Sequence, residues 1–165
     1  MNSETRTREI ILAITGASGS IYALKLLEKL QQLKTGPSEI AVIFSETAKE
    51  IWVAETGKIF HPTPPAKELD NKSYYAPFAS ESSQYETLII CPASMGTTGR
   101  IANGTSDDLI ARAADVMLKE RRRLIIVPRE TPYSLIHIEK MQKLTLAGAI
   151  ICPATPSFYS IPKTI

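Results

Sequence analysis

Polar side chains able to donate, accept or carry charge fall where apolar runs of this chain end: Ser18, Ser45, Ser94, Thr97, Arg129, Glu130 and Tyr159. If those runs are parallel strands, their carboxyl ends share one edge of a sheet. Hydroxyls and an arginine gathered there suit a phosphate and a flat polar ring. Other chemistries find less support. His61 and His137 belong to no HxxxH or Cys/His ligand spacing, so metal catalysis is not expected. A nucleophile elbow is missing, which leaves His137 as a helix-surface or packing residue rather than the base of a hydrolase triad.

The turn Gly16-Ala17-Ser18-Gly19 follows the apolar run Ile10–Ile14 and precedes a helical pattern. It reads as an anion cradle at a helix N-terminus, or as a strand-to-helix connection that needed glycine for its shape. The motif lacks both the full dinucleotide spacing and the Gly-Lys-Ser/Thr ending of a P-loop. A second turn rich in glycine and hydroxyls runs from Pro92 to Gly99. Ser45 reads either as a helix N-cap or as a ligand contact. Basic residues concentrate at Arg112, Lys119, Arg121, Arg122, Arg123 and Arg129. Arg121 to Arg123 suit a solvated helix end whose cations complement the dipole. Arg129 follows a buried strand beside Glu130, where a structural ion pair and a ligand clamp remain equally open.

Positioning these residues requires strands and helices in alternation. Apolar runs predict strands at Ile10–Ile14, Ile40–Phe44, Thr87–Cys91, Leu124–Val127 and Ala149–Cys152. Ile21, Leu24, Leu27 and Leu30 recur at helical spacing, and further helices are expected over 46–56, 101–103, 107–120 and 134–146. Residues 57–83, with Pro62, Pro64, Pro65 and Pro77, read as a long irregular excursion serving as a lid or an oligomer contact. The pattern predicts an α/β fold with a doubly wound parallel sheet, and residues 1–165 as a single domain.

Composition sets bounds. A chain of 165 residues with 44% hydrophobic and 22% charged content can bury a full core and gives no sign of disorder. No apolar run reaches spanning length and no signal-peptide core precedes the first strand, so no membrane association is expected. A net charge of +2, with no aromatics interleaved among the arginines, argues against nucleic acid. Cys91 and Cys152 each precede a proline at the end of an apolar run, as small buried residues would, and a reducing cytoplasm is the expected location.

The stretches TGASGSIYALKLLEKL, APFAS, IICPASMGTTGRIANG, DLIARAADVMLKERRRLIIVPRETPYSLIHIEKM and AGAIICPATPSFYSIPKTI resemble the flavin prenyltransferases of the UbiX/Pad1 type. The resemblance covers Leu12 to Ile165. It implies a Rossmann-like, flavodoxin-type fold, bound FMN, and a homo-oligomer, typically a dodecamer. It also implies transfer of a dimethylallyl group from dimethylallyl phosphate to N5 and C6 of reduced FMN, without metal. The product, prenylated FMN, would serve a UbiD-type decarboxylase.

By the same resemblance, Gly16, Ala17, Ser18, Gly19, Ser45, Ser94, Met95, Gly96, Thr97 and Arg112 are expected to bind the flavin. Lys119, Arg129 and Tyr159 are expected around the prenyl phosphate, whose added charge they would stabilise as the allylic C–O bond breaks. Ser18, Glu55 and Glu130 are candidates for moving the two protons that leave the flavin.

Some positions depart from the family pattern. Ala79-Ser80-Glu81-Ser82 replaces the usual ASGS, Ala93 stands where cysteine is common, and Asp108 and Lys140 stand where asparagine is common. A further helix bearing a phosphate-binding arginine is expected beyond Ile165, outside this sequence. Two other functions stand as alternatives: a non-catalytic or regulatory FMN-binding paralogue, and a flavin-dependent cysteine decarboxylase, whose PxMNxxMW segment this sequence does not contain.

Overall fold

In the computed structural model, which describes residues 9–73, 75–79 and 85–155, the apolar runs do form parallel strands. The elements are β1 (Glu9–Ile14), α1 (Ser20–Gln32), β2 (Glu39–Phe44), α2 (Ala48–Thr56), β3 (Ala66–Leu69), β4 (Tyr85–Ala93), α3 (Met95–Ala102), α4 (Leu109–Lys119), β5 (Arg123–Pro128), α5 (Leu135–Leu146) and β6 (Ile150–Ile151). They build one six-stranded sheet in the order β3-β2-β1-β4-β5-β6, with every described pairing parallel.

Side chains alternate across the sheet as the pleat requires. Leu12, Ile14, Ile40, Val42 and Ile89 pack beneath Ala23, Leu27 and Trp52 of α1 and α2. Ile11, Ala13, Ala41, Ile43, Leu88, Ile90, Leu124 and Ile126 pack beneath α3, α4 and α5. Both faces are covered, which explains why the strand sequences show no polar alternation.

Three expectations are corrected. Residues 57–83 are not irregular throughout: Ala66–Leu69 pairs with Ile40–Ile43 of β2 as an edge strand, and Pro77–Ala79 forms a turn of 3₁₀ helix. The segment Ala-Lys-Glu-Leu carries no apolar run because an edge strand is covered on one side only. Its Lys67 and Glu68 reach Glu39 and Lys49 in ion pairs. Without β3 the order would be the expected flavodoxin-type 2-1-3-4-5; with it the order is 3-2-1-4-5-6.

The second correction concerns the turn after β4. The short helix expected at 101–103 begins instead at Met95, so Met95, Gly96 and Thr97 form the first turn of α3. Ser94 caps it, its Oγ accepting from the Thr97 N–H (3.2 Å), and this cap outweighs the poor helix propensity of two glycines. The third is Cys152, which is exposed, whereas Cys91 is buried as expected. Burial, with a smaller contribution from nearby Cys152, pushes the Cys91 thiol up to about 12, so it remains protonated.

One internal latch joins the excursion to α4. Asp108 caps α4 by accepting from the Ala111 N–H (2.8 Å), while Asn71 O and Oδ1 accept from Leu109 N (2.8 Å) and Ile110 N (3.1 Å). Asp108 Oδ2 also takes Asn71 Nδ2 (3.2 Å) and Arg100 Nη1 (3.0 Å). The negative charge of Asp108 is therefore used. Asp108→Ala should lower stability by about 1–2 kcal/mol in urea denaturation, the cost of a lost N-cap, with Asp108→Asn recovering most of it.

Candidate active site

The strand order reverses between β1 and β4, and ligands of such sheets bind in the crevice outside the carboxyl ends at that point. β1 leads there into Gly16–Gly19 and β4 into Ser94–Thr97. The two turns are tied together by Thr15, which the sequence reading passed over. Its Oγ1 donates to Pro92 O (2.8 Å) and accepts from Ser94 N (2.7 Å), and its own N–H donates to Pro92 O (3.2 Å). A polar residue closing an apolar run and followed by glycine was the signal available.

Both glycines of the first turn are required by geometry. A Cβ on Gly16 would lie 2.5 Å from Thr47 Oγ1, so the start of α2 presses directly on the turn. Gly19 has φ +115°, where a side chain is strained, and a Cβ there would meet Tyr22 at 3.0 Å and Cγ of Arg129 at 3.4 Å. Arg129 thus lies against the turn it was expected to face.

The anion in the cradle is a side chain of the protein itself. Glu55, in the last turn of α2, accepts from Gly19 N through both oxygens (2.9 and 3.1 Å) and from Ser20 N at 2.7 Å. Burial acts to raise its pKa, but hydrogen bonds from the Ser18 and Ser20 side chains and from the Ser20 and Gly19 N–H groups outweigh it. They hold the carboxyl below its ordinary value of 4.5. A carboxylate at a helix N-terminus satisfies donors that would otherwise lack partners and complements the dipole. Ser18 therefore stands beside Glu55 and helps to keep its carboxyl ionised.

Ser45 is not the cap of α2. Thr47 holds that position, without a side-chain cap bond, while Ser45 donates its N–H to Ile14 O (2.9 Å). Together with Phe44, Lys49 and Asn71, Ser45 lines a cleft of about 320 Å³ at the carboxyl ends of β2 and β3. On the other side of the switch point, Ser94 Oγ donates to Thr97 Oγ1 (3.1 Å), and Arg129 N donates to Ala93 O (3.2 Å), closing β4 against β5. Glu130 is exposed and accepts from Thr131 N (3.0 Å).

Not all the expected residues meet. Arg112 donates to Asp115 on its own helix (3.0 Å). Lys119, paired with Glu120 at 3.7 Å, ends α4 and so stands beside the amino end of β5. Arg129 follows the carboxyl end of that strand, roughly 20 Å away at strand rise. One chain does not bring Lys119 to Arg129. Tyr159 and Glu81 lie outside the described residues. His137 completes a capping box with Ser134, its Nδ1 accepting from Ser134 N (3.3 Å), which gives it the structural position expected.

The arrangement suits FMN. Hydroxyls of Ser45, Ser94 and Thr97 share one edge, and Met95 and Gly96 stand in the first turn of α3, where N–H groups lack intrahelical partners. A Cβ on Gly96 would meet only Ser94 Oγ, at 3.9 Å, so that approach is open.

Comparison with known proteins shows the family. A family model described as Flavoprotein matches residues 1–161. The flavin prenyltransferase UbiX of Methanocaldococcus jannaschii is 43% identical over 162 residues, covering 95% of this chain and 84% of that protein. The crystal structure of AnUbiX (PadA1) in complex with FMN and dimethylallyl pyrophosphate superposes with a TM-score of 0.86 at 39% identity, covering 96% of this chain and 84% of that one. A dodecameric FMN-dependent UbiX-like decarboxylase from Escherichia coli O157:H7 superposes with a TM-score of 0.84 at 33% identity, covering 95% of this chain and 85% of that one.

Proposed function

This chain belongs to the flavoprotein family and, within it, to the UbiX-type flavin prenyltransferases, and from that premise we propose that its switch-point site prenylates FMN with a dimethylallyl phosphate donor. The observation that carries the assignment of roles is the convergence of Ser18, Glu55 and Arg129 on one turn. When bound and reduced, FMN supplies two nucleophilic positions, N5 and C6, to the dimethylallyl group.

Gly16–Gly19, Ser45 and Ser94–Thr97 hold the flavin, without Arg112, which is paired with Asp115 on its own helix. Arg129, with Lys119 and Tyr159, binds the donor's phosphate and takes up the charge that grows on it as the C–O bond breaks, and no magnesium is required. Glu55 is ionised at neutral pH and stands beside the Ser18 hydroxyl, so the pair can take up a proton through Ser18. Glu130 stands ready at the same edge for a second proton.

Since Lys119 and Arg129 occupy opposite edges of the sheet, the phosphate site is completed by Lys119 of a second copy, in keeping with the dodecameric relative. No helix among the described residues is long and apolar enough to cross a membrane. Its product is passed to a UbiD-type decarboxylase.

Anaerobic incubation with reduced FMN and dimethylallyl phosphate should yield flavin carrying one added prenyl group by mass spectrometry. The same product should activate an apo decarboxylase of the UbiD type. Bound FMN that is recovered unmodified at high enzyme concentration, with the monophosphate and the diphosphate alike, would overturn the reading.

A further inference from the structure

We infer that Thr15 is a positioning residue that fixes the spacing between the two flavin-binding turns by a side-chain bridge placed just beyond the end of the β1–β4 ladder.

The β1–β4 ladder runs to Ala13↔Ile90 and stops. Two residues further along β4 stands Pro92, which has no N–H to offer a neighbour, and the pairing of β4 with β5 is irregular over the same stretch, between Ile90 and Ala93. The β1–β4 ladder therefore ends with two residues between it and Gly16 and three between it and Ser94, short of the turns that must be held in register. Thr15 stands at that place. Its N–H and hydroxyl both donate to Pro92 O, at 3.2 and 2.8 Å, and the hydroxyl oxygen accepts from Ser94 N at 2.7 Å.

The residue is only 1% exposed, so water does not compete for these bonds. A hydroxyl that is donor and acceptor at once is the smallest group that makes both links, and β-branching narrows its rotamer choice. The bridge then propagates. Ser94, held through its N–H, uses its Oγ and O to organise the first turn of α3, accepting from Thr97 N (3.2 Å) and from Thr98 Oγ1 (2.9 Å). Gly16, next after Thr15, begins the turn whose other end Glu55 fixes. Thr15 touches no reacting group. It sets the distance between groups that do.

This inference rests on the FMN site described above, so the experiment has one arm that needs FMN and one that does not. Thr15→Val keeps the shape and removes both hydroxyl bonds; Thr15→Ser keeps the hydroxyl. Fluorescence titration should show FMN binding at least about tenfold weaker in Thr15→Val and within about threefold of the parent in Thr15→Ser. Leu144→Val, a core change on the buried side of α5, should leave FMN affinity unaltered even where its melting temperature falls as far.

Without FMN, amide hydrogen exchange at Ser94 should be protected in the parent and in Thr15→Ser and at least about tenfold faster in Thr15→Val, while Leu88 in the same strand stays unchanged. Parent-like affinity and exchange in Thr15→Val, or an equal loss of FMN in Leu144→Val, would overturn the role. If Thr15→Val does not fold, Thr15→Ser decides alone: loss of Ser94 protection or of FMN affinity in that variant rejects the bridge. A parent protein that binds no FMN counts against the flavin reading, and the exchange arm still decides on Thr15.

Discussion

Glu55→Gln should reduce prenyl transfer by roughly two to three orders of magnitude, within the range by which positioned acid–base groups accelerate reactions. The reason is visible in its bonding. Its carboxylate receives Gly19 N and Ser20 N and stands beside the Ser18 hydroxyl, so it is an anion held at the turn. An amide matches the shape but cannot take the proton, and its NH₂ end faces an N–H donor. Single-turnover absorbance with reduced FMN measures the chemical step apart from binding; FMN affinity should change far less than the rate.

The same substitution tests the charge state through stability. A carboxyl whose folded pKa lies below its unfolded value of 4.5 stabilises the fold above that value, and the contribution fades as pH falls through the lower, folded pKa. Urea denaturation should therefore show the parent exceeding Glu55→Gln near neutral pH and the gap closing as pH drops below about 4.5. A gap that does not vary with pH would mean the carboxylate charge contributes nothing.

Lys119→Ala and Arg129→Ala should each abolish most activity alone, and mixed oligomers of the two should recover it. If Lys119 serves a neighbour's site while Arg129 serves its own, random one-to-one reassembly leaves about a quarter of sites with both cations. Were both residues drawn from one chain, about half of the sites would be intact only in parent-containing mixtures and none in this one. Activity after co-refolding the two variants distinguishes these cases. The expectation follows from topology: α4 runs antiparallel to the strands and delivers Lys119 to the amino edge, while β5 carries the chain back to Arg129.

Much of the site was legible because strand ends are. Apolar runs without polar alternation identify buried parallel strands, and the residues after them must lie on one edge; Ser18, Ser45, Ser94 and Arg129 were located in this way. His137 reads as a structural residue on a helix, and the structure puts it in the capping box of α5. Other features depend on partners distant in sequence. β3 has no apolar signal because its partner supplies the backbone bonds and only one side is covered. α3 starts earlier than its glycines suggest because Ser94 caps it while held by Thr15, some eighty residues before it.

By itself, then, the sequence determined the alternation of strands and helices, the family, and the edge on which the chemistry takes place, since those follow from local periodicity and from motifs read in order. Only the tertiary structure decided what fills the turn at Gly16–Gly19. It is not left for a phosphate: Glu55 reaches it across the gap between α2 and α1, and Arg129 packs on its outer side. It also decided that Lys119 stands apart from Arg129 within one chain. Both outcomes depend on the directions in which helices cross the sheet, and a linear sequence expresses that direction only after the strands have paired.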